Sequence, residues 1–131
     1  DRQTGRWLAQ DGLGIAPRIF HCTWSSPALA TLQGREQILF AGGDGVLYAF
    51  DPLPGGFARA DGARPAMLTR LWSFDFDPAA PKEDIHRYNG NRAVSPSNIY
   101  GCPVIHDGSV YVAGGGDWFW GKNEAWLKCL R

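Results

Sequence analysis

Apolar and polar positions alternate with a period of two wherever the chain has a regular pattern, the signature of half-buried β-strands. Ile38-Leu39-Phe40-Ala41 runs into Gly42-Gly43-Asp44-Gly45, and Val46-Leu47-Tyr48-Ala49-Phe50 follows: a strand, a glycine-rich tight turn and a second strand. Upstream, Ser25 to Thr31 reads as a strand with Pro27 near its start, followed by a turn at Gln33-Gly34-Arg35. Downstream, Thr69 to Phe76 alternates, placing Leu71, Ser73 and Asp75 on one face and Trp72, Phe74 and Phe76 on the other. These four segments predict one four-stranded antiparallel meander. Two long excursions, Pro52 to Leu68 and Asp77 to Asn98, separate the patterned parts. Loops of that length inside a compact domain are uncommon unless functional or disordered, so each is a candidate site.

The pattern then restarts. Tyr100 to Ile105 repeats the Pro-centred strand, His106-Asp107-Gly108 supplies the turn, and Ser109 to Gly115 repeats Gln37 to Gly43. Ala125 to Arg131 echoes Val46 to Asp51, with Cys129 in the place of Ala49. Pro27 recurs at Pro103 and Ala41 at Ala113, at unequal offsets, as expected when a sheet unit is duplicated and insertions fall in loops. At the start of the chain, Asp1-Arg2-Gln3-Thr4-Gly5 resembles Asp51-Pro52-Leu53-Pro54-Gly55 in the spacing of Asp and Gly. The repeats therefore predict an all-β fold of antiparallel four-stranded propeller blades, about one complete blade plus parts of two neighbours, belonging to a larger β-propeller. Residues 1–9 end one blade, 20–76 form the next, 77–98 are a long inter-blade loop, and 99–131 make most of another.

Within that pattern, Gly43-Asp44-Gly45-Val46-Leu47-Tyr48-Ala49-Phe50-Asp51, with Asp1, Thr4 and Gly5, resembles the pyrroloquinoline-quinone-like propeller repeat, G-x-D-G-x-x-Y-A-x-D-x-x-T-G-x-x-x-W. His21 to Asp51 and Asn98 to Cys129 are most similar to secreted or periplasmic bacterial propeller proteins related to the outer-membrane assembly lipoprotein. The resemblance implies a non-catalytic scaffold with an extracytoplasmic location. Its partners would be other protein subunits or the remainder of its own propeller. In such a repeat Ala49 lets neighbouring blades approach, Asp51 caps the following turn, Gly5 supplies a positive φ, and Trp72 is the tryptophan that docks between blades. The chain departs from the pattern at both ends: Ala9 stands where a docking Trp belongs, Trp7 is two places early, and Arg131 replaces the turn Asp.

Composition sharpens this picture in a few respects. Thirteen basic and thirteen acidic residues cancel, so no global field points to nucleic acid or an anionic membrane. No apolar run approaches the roughly 20 residues of a membrane-spanning helix. The chain opens on Asp1 without an initiator Met or apolar leader, as expected of a processed, trimmed or partial polypeptide. Cys22, Cys102 and Cys129 form no C-x-x-C pair and are expected as small core residues.

Candidate chemistry is sparse. Quinone-dependent dehydrogenases of the resembled fold stack their cofactor between a Trp and a vicinal disulfide and hold Ca²⁺ on Glu, Asn and Asp. Adjacent cysteines do not occur in this sequence, and Asp75, Asp77, Glu83, Asp84 and Asn89 lack calcium-loop spacing. No cofactor is therefore predicted. PQQ with Ca²⁺ belongs only to an alternative in which the chain is part of an alcohol- or sugar-oxidising quinoprotein. His21, His86 and His106 are too dispersed for a recognisable metal set; His21 reads as a strand-entry residue near Trp24, and His106 as a turn residue. Asp44-Gly45 and Asp61-Gly62 read as turn chemistry.

The richest segment is Gly116 to Trp126, which holds Trp118, Phe119, Trp120 and Lys122 in an insertion between two strands. It reads in two ways, as an aromatic platform for a protein partner or a carbohydrate ring, or as a loop packed over its own blade. Arg87, Tyr88 and Asn89, in the second long excursion, suit polar recognition at a rim.

Overall fold

The computed structural model describes residues 1–53 and 64–131; Gly55 and the Asp61-Gly62 pair lie outside them. Ten strands occur among the described residues: β1 (Ala9–Gln10), β2 (Ala28–Leu32), β3 (Arg35–Ala41), β4 (Val46–Phe50), β5 (Ala66–Met67), β6 (Arg70–Asp75), β7 (Ser97–Ile99), β8 (Val104–His106), β9 (Ser109–Gly116) and β10 (Ala125–Leu130). Among the described residues, helix is confined to single 3-10 turns at Ala16–Arg18 and Ile85–Tyr88.

Strands β2, β3, β4 and β6 form the expected antiparallel meander in that order. The second sheet is built on β9, with β10 along one side and β7 and β8 sharing the other. Neither sheet closes on itself. Of Tyr100 to Ile105, expected as one strand, only Val104 and Ile105 are in a strand, β8. The amides of both Tyr100 and Gly101 donate to the Ala113 carbonyl, so an extra residue bulges out, and Pro103 lacks the N–H that would continue the ladder. Ser97 and Asn98, placed by their sequence in the loop 77–98, are paired with β9 together with Ile99. The strand expected from Ser25 begins only at Ala28, after Pro27. Part of the first excursion is also paired: β5 runs parallel to β1, a two-residue contact too short to leave a periodic pattern.

The two sheets pack face to face. Ala30, Leu39, Ala41, Leu47 and Ala49 from the first meet Ile99, Val110 and Val112 from the second, with Phe76 at the crossing between them. Every one of these is at least 97% removed from solvent. Ala49 sits on this inner face while its neighbours Tyr48 and Phe50 pack on the opposite one, against Leu13, Ile15, Ile19 and Leu68. Trp72 is half-buried against the inter-sheet cluster, and its Nε1 donates to Gln37 Oε1 at 2.8 Å. Hairpins β2–β3 and β8–β9 turn through the same device, positive φ at both central residues: Gln33 (51°) and Gly34 (76°), Asp107 (51°) and Gly108 (71°). At the β3–β4 turn Gly45 has φ +75°, and a Cβ there would lie 2.4 Å from the Ser97 carbonyl oxygen of the second sheet.

Superposing the two repeats by sequence gives the stacking a direction. Leu39, Ala41, Leu47 and Ala49 correspond to Tyr111, Ala113, Leu127 and Cys129. The first set faces inward between the sheets, whereas the second lines the far face of the second sheet. Each sheet therefore offers its neighbour the opposite face from the one it receives. The far face is open: Leu127 is 71% exposed and Val104 59%.

One expectation is corrected here. Cys22 is only half-buried, Cys102 and Cys129 are exposed, and all three are free thiols. Cys129 takes the position of buried Ala49 but lies on a face that is exposed among the described residues, and Cys102 follows the bulge. The Asp51 carboxylate is gripped by Arg35 through Nε at 3.1 Å and NH2 at 2.5 Å; the turn it is expected to cap runs into residues outside those described. Asp1 does cap, accepting from the amides of Gln3 and Thr4, and Gly5 closes that turn at φ +70°.

Candidate functional site

Three segments distant in sequence converge at one end of the second sheet: residues 20–24, residues 85–95 and the loop 117–124 between β9 and β10. Asp117 organises the third. Its carboxylate is buried and accepts from the amides of Phe119 and Trp120 at 3.0 and 2.9 Å, turning the chain sharply at the tip. Arg92 then holds the loop from outside, donating from NH1 to the carbonyls of Trp118 and Gly121 and from NH2 to that of Phe119. Backbone bonds from Gly90 to Trp120 and from Asn123 to Arg92 join the same two segments. The two loops that the sequence offers as separate candidates are thus one structure. Ser95, fully buried, accepts from the Lys122 amide at 2.8 Å.

Aromatic side chains divide into two groups around this frame. Trp120 stacks on His21, with ring centroids 4.1 Å apart, and Phe119 and Trp24 meet the same imidazole edge-on. Phe20, buried beneath, contacts both Trp120 and His86. His21 Nδ1 lies 3.1 and 3.3 Å from the two Asp117 oxygens. An ionised carboxylate can only accept, so Nδ1 is the donor of this pair. Trp118 stays out of this cluster. It is 79% exposed and forms one wall of a cleft of about 430 Å³ with Tyr100, Asn123 and Glu124. Burial pushes the Tyr100 hydroxyl up to about 12, helped by the Asp117 charge; the hydroxyl donates to the Gly116 carbonyl.

Lys122 departs from its expected role. Only 9% of its side chain is exposed, and Nζ pairs with Asp77 at 2.5 Å and Glu124 at 3.2 Å over the Trp126 ring. Burial pushes the Asp77 carboxyl up, but hydrogen bonds from Lys122 and Ser97 and the Lys122 charge outweigh it and hold the group below its usual range. Burial likewise lowers the Lys122 ammonium, and its two acidic partners more than reverse that. Lys122 anchors the loop and is not a free contact for a partner. Arg87 and Tyr88 are paired with one another, NH2 donating to the Tyr88 hydroxyl at 2.6 Å, and Arg87 and Asn89 are exposed on the 3-10 turn and its end.

Asp44 also does more than shape its turn. Tyr48 donates to its Oδ2 at 2.6 Å and Arg18 lies 3.1 Å from the same oxygen, tying the β3–β4 turn to the segment that covers the outer face of the first sheet. The oxygens named as calcium candidates are engaged in part: Asp75 pairs with Lys82 and Asp77 with Lys122. Among the described residues no three His, Cys, Asp or Glu side chains gather as a metal set, and no helix is long and apolar enough to cross a membrane.

The sequence points to Trp118, Phe119 and Trp120 but not to His21, Asp117, Arg92 or Tyr100. His21 and Asp117 are 96 residues apart, with no local motif linking them. Compared with known proteins, the chain matches no family model, no curated protein and no solved structure.

Proposed function

We propose that this chain is an arc of a larger β-propeller and acts as a non-catalytic scaffold in an extracytoplasmic bacterial assembly, with the loop 117–124 as its contact surface. One observation carries the reading: the two sheets stack with equivalent faces pointing the same way, so the far face, with Leu127, Val104 and Cys129, matches the face that Leu47 and Ala49 bury. A stack of this polarity is what a ring of blades requires. The rigid loop supports the contact role, because its backbone is bonded on several sides while Trp118 and Phe119 stay in solvent.

Leu127→Asp tests the scaffold reading. The wild-type chain is expected to show a molar mass by light scattering that rises with concentration, or to co-purify with the subunit that covers its far face. The aspartate variant is expected to be a monomer of unchanged circular dichroism. A wild-type chain that stays monomeric at about 100 µM and binds no subunit would remove the basis for the docking face; that concentration is where even contacts well weaker than a micromolar Kd become visible.

A further inference from the structure

We infer that the cleft between Tyr100 and Trp118 is a saccharide site that takes an uncharged sugar ring against the Trp118 indole. The cleft holds about 430 Å³, within the range of about 300–1,000 Å³ that small-ligand sites occupy. Its lining excludes Phe119 and Trp120, which are committed to His21. Trp118 is the aromatic left over, 79% exposed on a backbone that Arg92 and Asp117 already fix. A site ordered before its ligand arrives loses little entropy on binding.

Charge decides the ligand class. The ionic side chains that line the cleft cancel, Arg92 and Lys122 against Asp117 and Glu124, and each is also hydrogen-bonded within the protein. An ionic ligand would meet no unbalanced charge. What the cleft offers is a flat indole face, the exposed side-chain amide of Asn123, and the free oxygen of Glu124 as an acceptor. A pyranose complements that set, since its ring presents an apolar C–H face to the indole and a rim of hydroxyls to the amide and carboxylate. An apolar ligand would strand both polar groups. This assignment rests on the reading of loop 117–124 as a contact element, and it names the chemistry that element meets.

Titration of the full chain with cellotetraose, chitotriose and maltotetraose, followed by calorimetry, is the test, with trigalacturonic acid as the charged arm. At least one neutral saccharide is expected to bind with a Kd below about 1 mM. Trp118→Ala is expected to weaken it tenfold or more, and Asn123→Ala several-fold, while Leu29→Ala on the first sheet leaves it unchanged. Trp118 is exposed enough that its variant keeps the wild-type fold, which near-ultraviolet dichroism verifies. Absence of binding by all three neutral saccharides overturns the site, as does binding indifferent to Trp118→Ala or confined to the acidic sugar. A protein captured by the loop in place of any saccharide also overturns it. The Leu127→Asp result is independent of all these outcomes, so the scaffold reading stands or falls separately.

Discussion

Removing the Lys122 ammonium would leave the Asp77 carboxylate buried between Ser97 and the loop, with its desolvation uncompensated. Breaking such a pair from one side costs about 3–5 kcal/mol when both groups are well buried. Lys122→Met is therefore expected to lower stability at pH 7 by about 3 kcal/mol, read as a reduced urea midpoint. The pH dependence has a definite sign. Because the folded Asp77 sits below its unfolded pKa of about 3.9, its contribution is complete above that value and is lost as pH falls through the folded one. Lys122, raised in the fold, contributes below its unfolded pKa of about 10.4 and loses that contribution as pH rises through the folded value. In Lys122→Met burial of Asp77 is opposed by the hydrogen bonds from Ser97 and the Ala79 backbone without the Lys122 charge, so acid unfolding is expected at higher pH than in the wild type. An unchanged acid midpoint would remove the pair from the stability of the loop. At this scale the sequence was informative about residue types and silent about partners. Trp118 and Trp120 stand out as neighbours, yet only the fold separates them, one stacked on His21 and the other left in the cleft.

Loop 117–124 behaves as an element because Arg92 bridges three of its carbonyls with a planar fork. Arg92→Lys keeps the charge but cannot span three acceptors. Hydrogen exchange at the Trp120 and Gly121 amides is expected to accelerate about tenfold in Arg92→Lys and further in Arg92→Ala, corresponding to about 1–2 kcal/mol of lost local stability. Equal protection in all three proteins would mean that Asp117, Ser95 and the backbone bonds hold the loop without the guanidinium. Legibility differs sharply among elements. Strand β3 buries alternate residues, β4 is an apolar run buried on both faces and set off by the glycine-rich turn, and β6 places Trp72 and Phe74 on one face, so each left a pattern in the sequence. β7 is three residues long, ends at the Tyr100–Gly101 bulge, and is defined by its partner β9; nothing in Ser97-Asn98-Ile99 alone marks it. β1 and β5 depend on each other in the same way.

On the scale of the molecule, the two sheets relate as successive members of a stack, not as mirror partners. A contact between unlike faces does not saturate itself as a two-fold dimer does; it continues until a ring closes or something else caps it. The first sheet already has such a cover, since Leu13, Ile15, Ile19 and Leu68 pack on the face carrying Tyr48 and Phe50. The duplicated motifs made this arrangement readable in outline, because Leu127 and Cys129 fall where Leu47 and Ala49 fall in the preceding unit. The direction of stacking and the vacancy of the far face required the fold.

That vacancy gives Cys129 a use as a footprint. Its counterpart Ala49 is wholly sealed, while the Cys129 thiol is open to solvent. A maleimide added to the isolated chain is expected to label it readily. Once another sheet or subunit covers the far face, labelling at Cys129 is expected to stop, while exposed Cys102, which follows the bulge, continues to react. The ratio of adducts at the two sites, read by peptide mass spectrometry, reports the state of assembly without a tag or a mutation. A Cys129 that reacts as fast in the assembled protein as in the free chain would place the contact elsewhere.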